Sequence, residues 1–180
     1  MTPHDGLTDT IETPRLLLRA PVGDDAQRYA DGIGDYAVAR FLTPVPHPYT
    51  VAMAADWLAK AEPPIPGRAL FIIDLPGAGL IGCVTMLGEL GFWLARPYWG
   101  NGYMTEAASA LLAWHFSGTS NDSVLSAAHF DNPASLAVQA KLGFVETGRK
   151  MAFAQARQQD IEHITTMLTR SSFEAKRGLL

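Results

Sequence analysis

A mixed α/β fold is what this sequence predicts, on three observations. Three apolar, strand-like runs separated by turn residues occupy residues 69–94, the pattern of an antiparallel meander. Over residues 102–116 the apolar spacing changes to the period of a helix. Beyond that, strand-like and helix-like segments alternate as far as Thr169, which implies crossovers and a parallel pairing.

Residues 15–21 read as a first strand, closed by Pro21. Asp24 and Asp25 open a helical stretch carrying Tyr29 and Ile33 and ending near Gly34. Two proline clusters follow, Pro44/Pro46/Pro48 and Pro63/Pro64/Pro66, and between them Thr50 can N-cap a short helix bearing Met53, Trp57 and Leu58. Prolines that bracket a helix in this way make stiff, irregular walls. Residues 69–74 form a strand, Pro76-Gly77-Ala78-Gly79 a turn, residues 80–87 a second strand, and the third runs from Glu89 to Leu94. The long helix presents Met104, Ala107, Ala108, Leu111, Leu112 and His115 on one broad face. Residues 123–128 are a short strand. Asn132 then caps a helix with Pro133 at its first position and Gly143 as a left-handed C-cap. Two closing strands span residues 144–153 and 161–169, giving a central sheet of six to seven strands with flanking helices. The ends, residues 1–10 and 171–180, are expected to fray, as is the basic segment 170–177.

Composition narrows the function classes. At 180 residues with 48% hydrophobic and 18% charged content, the chain suits one domain with a sizeable core. A net charge of −4 argues against a nucleic-acid surface, mildly favours a positively charged partner and leaves room for a basic ligand pocket. Cys83 is the only cysteine, so no intramolecular disulfide can form, and its run Leu80-Ile81-Gly82-Cys83-Val84 suits a buried, inert thiol. Residues 1–13 lack the apolar core of a signal peptide, and no apolar stretch is long enough to span a bilayer. A cytoplasmic protein without a membrane partner is expected. His4, His47, His115, His129 and His163 show no ligand spacing, so no catalytic metal is expected either.

The segment from Glu89 to Ala107 carries the chemistry. A strand ends, the loop Trp99-Gly100-Asn101-Gly102 turns sharply, and a helix begins. Glycines leave backbone amides exposed, and a helix N-terminus adds unpaired N–H groups with partial positive charge, which suits a phosphate or pyrophosphate. No lysine follows Gly102 as a P-loop requires, and Gly100-x-Gly102-x-x-Thr105 lacks the third glycine of a dinucleotide fingerprint. An ordinary tight turn is the remaining structural alternative.

This stretch resembles the acetyl-CoA pyrophosphate loop of the GNAT acetyltransferases, especially those like the ribosomal-protein N-acetyltransferases. Residues 11–19 (Ile-Glu-Thr-Pro-Arg-Leu-Leu-Leu-Arg) resemble that branch's first strand. Asn132-x-x-Ser135 followed by Lys141-Leu142-Gly143-Phe144 resembles its late helix and strand. The resemblance implies a single-domain GNAT-like fold, acetyl-CoA as cosubstrate and a primary-amine acceptor, with a protein N-terminus as one candidate. Trp93, Leu94, Gly100, Asn101, Gly102, Tyr103, Met104, Thr105, Asn132 and Ser135 would bind the coenzyme. Glu89 is the candidate base, sharing a strand face with Trp93 by alternation. Ser135 is the candidate acid toward the leaving thiolate. It would replace a tyrosine that many relatives carry on the late helix, where Gln139 stands here. Met104 occupies a position usually held by a small residue.

Aromatic residues Phe41, Tyr49 and Trp57 are candidates for the acceptor wall. A small-amine acetyltransferase and a non-catalytic acyl-CoA-binding module are the competing readings. A homodimer is left open by the sequence.

Overall fold

The computed structural model describes residues 10–177, folded around an eight-stranded sheet in the order β1-β2-β3-β4-β5-β6-β8-β7. In chain order the elements are β1 (Thr10–Glu12), β2 (Leu17–Arg19), α1 (Ala26–Gly34), α2 (Tyr36–Ala39), α3 (Val51–Leu58), β3 (Arg68–Leu75), β4 (Gly79–Leu87) and β5 (Leu90–Leu94). They continue with α4 (Tyr103–Gly118), β6 (Ser123–His129), α5 (Pro133–Leu142), β7 (Val145–Ala154), β8 (Gln159–Thr169) and α6 (Arg170–Arg177).

The eighth strand comes from the first run. The strand read over residues 15–21 is β2, and residues 11–19, which resemble the family's first strand, form the hairpin β1–β2 around Thr13, whose N–H donates to Leu16 O and whose hydroxyl accepts from Leu16 N–H. Pro14, with no N–H to give to a ladder, sits in that turn. Another difference is at the chain's end. Where fraying was expected over 170–177, α6 forms, anchored by buried Phe173 and by Arg170, which donates to the carbonyls of Phe116, Thr119 and Asn121. The expected fray at residues 1–9 and 178–180 lies outside the described residues.

Alternation along the strands sends side chains to two cores. Phe71, Ile73, Ile81 and Val84 pack with Ala107, Leu111 and Leu112 of α4 on one face. Leu70, Ile72, Cys83 and Trp93 pack with Tyr29 and Ile33 of α1 and Ala54 and Leu58 of α3 on the other. Thr50 accepts from Met53 N–H as the cap of α3, although Met53 and Trp57 remain substantially exposed. Asn132 caps α5 by accepting from Ser135 N–H, and Gly143 ends it at φ 103°, both as read from the sequence.

The meander β3-β4-β5 is antiparallel, and β5 then pairs with β6 in parallel, through the crossover α4. That parallel pairing consists of one register pair, Leu90↔Ser126, reinforced by Ser126 Oγ donating to Leu90 O at 2.8 Å. Beyond it the strands part. The sheet is therefore split down its middle, and the split positions everything that follows.

Candidate functional site

Strand alternation decides what lines the split. Ala95 N–H donates to Ile81 O, so Trp93, two residues earlier, also faces β4, where it pairs with Cys83. The backbone groups of Phe92 and Leu94 therefore point across the gap toward β6. Leu94 O is taken by Trp99 Nε1 at 2.8 Å, which ties the following loop to the strand. Trp93 is placed differently from its reading as a coenzyme-binding residue. Its ring is buried at 7% exposure, edge-on to Tyr29 with centroids 5.0 Å apart. Phe92, which the sequence reading passed over, holds the edge position instead.

The glycine loop follows directly. Gly100 and Gly102 adopt φ of 77° and 78°, a left-handed conformation that costs glycine little, and Gly102 is the N-cap of α4. The Asn101 side chain donates to the carbonyls of Tyr98 and Trp99, fixing the turn from below. Among the described residues, the backbone N–H groups of Gly100, Asn101, Gly102, Tyr103, Met104 and Thr105 have no hydrogen-bond acceptor. They form a cluster of donors at the positive end of a 16-residue helix. The bulk of Met104 does not intrude on it, because the side chain is 6% exposed and turned into the core.

A distant segment braces this loop. Arg15 donates from Nε to Glu106 Oε2 at 2.7 Å and from Nη1 to Asn101 O at 2.9 Å, and its guanidinium lies 4.6 Å over the Tyr103 ring. The Thr13 hydroxyl adds a 2.7 Å bond to Glu106 Oε1. Burial works against charge on Glu106, but Thr13 and Arg15 outweigh it and hold the carboxyl below its ordinary value.

On the far side of the split, Asn132 and Ser135 stand in the first turn of α5, both partly exposed. The Ser135 hydroxyl accepts from Gln139 Nε2 at 3.4 Å, which leaves its own proton free to donate. Gln139 itself is 1% exposed, also bonds Ala127 O, and accepts from the Thr166 hydroxyl at 2.6 Å. It is a clamp between α5, β6 and β8.

Glu89 lies in the bend just before β5 rather than within the strand, and it is exposed. It lines a cavity of about 140 Å³ together with Phe41, Thr43, Ala127, His129, Lys150 and His163. This cavity opens beside the split on the α1–α2 face. Of the three aromatic residues read as acceptor wall, Phe41 lines it; Tyr49 packs in the second core, and Trp57 borders a separate surface pocket with Lys60 and Arg68. The pairing of His129 with His163 was not read from the sequence, and no local spacing announces it. Cys83 is fully buried, and burial pushes its thiol up to about 12.

A family model described as an acetyltransferase (GNAT) domain matches residues 15–145, from the arginine that braces the loop to the start of β7. The chain belongs to the GNAT acetyltransferase family. Solved structures with the same fold include RimJ of Mycobacterium smegmatis in complex with CoA-disulfide, with a TM-score of 0.77 and 19% identity over 96% of this chain and 95% of that one. The ribosomal-protein-S5-alanine acetyltransferase of Vibrio fischeri gives a TM-score of 0.72 and 19% identity, covering 91% and 98% of the two chains. The microcin C7 self-immunity acetyltransferase MccE, in complex with acetyl-CoA and AMP, gives 0.75 and 13% identity over 87% and 93%. At these identities the likeness is one of fold. Within this GNAT chain Gln139, read from the resemblance as standing at the late-helix tyrosine's position, is an embedded amide with every polar atom engaged.

Proposed function

We propose that this protein moves an acetyl group from acetyl-CoA to a primary amine by direct attack, with a protein N-terminal amine as the preferred acceptor. The observation that carries the reading is the split sheet, whose free β5 edge leads into a loop of unpartnered N–H groups. The ribosomal-protein acetyltransferases among the structures of the same fold support the choice of acceptor, and the CoA-disulfide and acetyl-CoA in two others support the donor.

In this reading the N–H groups of residues 100–105 bind the pyrophosphate, and the braced Gly102 turn lets the backbone approach it. The edge at Phe92 and Leu94 holds the pantetheine arm and polarises the thioester carbonyl, so that the oxyanion meets a fixed donor. Asn132 contacts the same arm. The acceptor enters from the cavity side, where Glu89 takes its proton through water. An N-terminal amine has a pKa near ~8 and is largely protonated at neutral pH, so a base is required. Ser135 then donates a hydrogen bond that stabilises the departing thiolate.

Cys83 takes no part, since a thiol held neutral in the core cannot carry the acetyl group. A thiol-release assay with acetyl-CoA across peptide N-termini, polyamines, aminoglycosides and amino acids tests the reading. Release that is fastest with peptides supports it, and turnover confined to small amines replaces the acceptor. Coenzyme binding without turnover on any amine would make the chain a binding module.

A further inference from the structure

The acceptor cavity has a wall whose hydrogen bonds define a direction. Thr43 comes from the segment after α2, His129 ends β6, and His163 lies directly opposite His129 on β8. The imidazole centroids are 4.4 Å apart, and the rings are nearly enclosed at 1% and 4% exposure. All three line the cavity, and Thr43, the least buried of them, is the most open to it. Its Oγ1 lies 2.6 Å from His163 Nε2 and 3.2 Å from His129 Nε2. Thr43 O also accepts from Gln155 N–H at 3.0 Å, which pins the segment against the β7–β8 turn.

The protons can be assigned from the partners. His163 Nδ1 is 2.9 Å from Ile161 O, a pure acceptor, so Nδ1 carries the hydrogen and Nε2 of the neutral ring accepts. Thr43 must then donate to His163. Its oxygen accepts in turn from His129 Nε2–H, which leaves His129 Nδ1 to face Arg157 Nη1 at 3.5 Å. Each donor meets an acceptor, and the chain runs from His129 through Thr43 to His163.

The surrounding charges make the two rings unequal. Arg157 forms a two-bond pair with Asp131 at 3.0 and 2.8 Å, and Arg40 stands 3.7 Å from the same carboxylate. Burial, then His163 and Arg157, pushes His129 down to about 4, against the opposing pull of Asp131. Facing His163 are Lys150, its register partner on β7, and Glu89 across the cavity. The hydrogen bonds hand a proton arriving at Thr43 to His163, whose Nε2 is the accepting nitrogen, and not to His129, whose Nε2–H already donates.

We propose that Thr43 and His163 form a second proton exit for the acceptor amine, an inference that rests on the acetyl-transfer reading of the site. As the amine attacks, its N–H bond breaks and the proton passes, directly or through one water, to Thr43 Oγ1. The proton already on Thr43 moves to His163 Nε2, giving an imidazolium whose Nδ1–H stays on Ile161 O. His129 Nε2–H steadies the threonine oxygen throughout, and the Glu89 carboxylate offsets the new positive charge while Lys150 opposes it.

Two measurements on the full chain test this. Long-range proton–nitrogen NMR on histidine-labelled protein should find His163 in the Nδ1–H form and His129 in the Nε2–H form, with His129 neutral at pH 7. Thr43→Val should lower kcat about 10- to 100-fold below the acceptor's pKa with coenzyme affinity held, and it should fold but melt lower, because two buried imidazoles lose their partner. Thr43→Ser should restore the rate, and His163→Gln should lose the same factor. The proposal is overturned if Thr43→Val, folded, matches the parent from pH 6 to 9, or if His163 carries its hydrogen on Nε2. Should His163→Gln fail to fold, the Val–Ser contrast at position 43 decides alone. A parent inactive on all amines would defeat the acetyl-transfer reading, whereas the NMR result would still judge the wiring.

Discussion

The two sides of the split sheet are built on different principles. The β5 side, running into the loop at Gly100 and Gly102, is a site of backbone donors, and its geometry comes from left-handed glycines and a helix start within a few residues of one another. The β6–β8 side is a site of side chains, in which Thr43, Glu89, Lys150, His129 and His163 converge from separate elements. A backbone site accepts any ligand with the right charge and shape, which suits a cosubstrate common to a whole family. A side-chain site can be rebuilt residue by residue while the fold stays unchanged, which suits an acceptor that differs among relatives.

Substitutions on either side should separate accordingly. The largest effect is expected on the side-chain side. Glu89→Gln should lower kcat/KM about 100-fold at pH 7, with coenzyme affinity unchanged. The loss should shrink toward pH 9, because the amine then deprotonates unaided. A defect independent of pH would mean that Glu89 only shapes the cavity, and the contrast between the two sides would blur.

On the backbone side, Gly102→Val forces a β-branched residue to a φ of 78° and should weaken acetyl-CoA binding about 10- to 100-fold by calorimetry. The fold should survive, since an added Cβ meets only Arg15 Nη2 at 3.5 Å. Unchanged affinity in a folded variant would remove the loop from the binding site. Ser135→Ala sits between the two sides. It should cost about tenfold in kcat, the low side of a positioned acid, with a weak pH dependence, because a thiolate can leave unprotonated. A change in coenzyme affinity instead would assign Ser135 to binding, beside Asn132.

Glu106→Gln tests the brace without touching either chemistry. The folded carboxyl is depressed, so its stabilisation is present above the ordinary glutamate value of ~4.3 and is lost as pH falls through the depressed one. The variant should therefore be about 1 kcal/mol less stable than the parent at pH 7, a figure kept small because Arg15 is half exposed. The gap should close in acid. A gap that persists at pH 3 would mean that geometry rather than charge holds the brace. The smallest effect is expected at Cys83→Ala, which should keep the parent's rate; trapping an acetyl group on Cys83 that then reaches an amine would overturn direct transfer.

Much of this contrast could be read along the chain. The caps at Thr50, Asn132 and Gly143 and the buried face of α4 depend on residues within one or two turns of each other, and each was legible. The differences have separate causes. An extra strand, β1, precedes the run read as the first one because Thr13 folds back on Leu16 and makes a hairpin. The end taken as frayed orders because Phe173 finds Phe116 at 5.5 Å between centroids, a partner far away in sequence. Trp93, read as coenzyme-binding from the family resemblance of its strand, is turned by the pleat and the pairing with β4 into the second core beside Tyr29.

By itself, the sequence determined the order of strands and helices from β3 to β8 and the glycine loop with its row of free N–H groups. These follow from local dihedral preferences and hydrogen bonds that close over a few residues. Only the tertiary structure decided that β5 and β6 would part after a single pair, that Gln139 would be locked in place, and that a cavity would open beside the split. The decisive contacts there join Thr43 to His129 and His163 across 86 and 120 residues of chain. No local spacing encodes such a meeting, because it is set by how two packed faces of the sheet close around their cores.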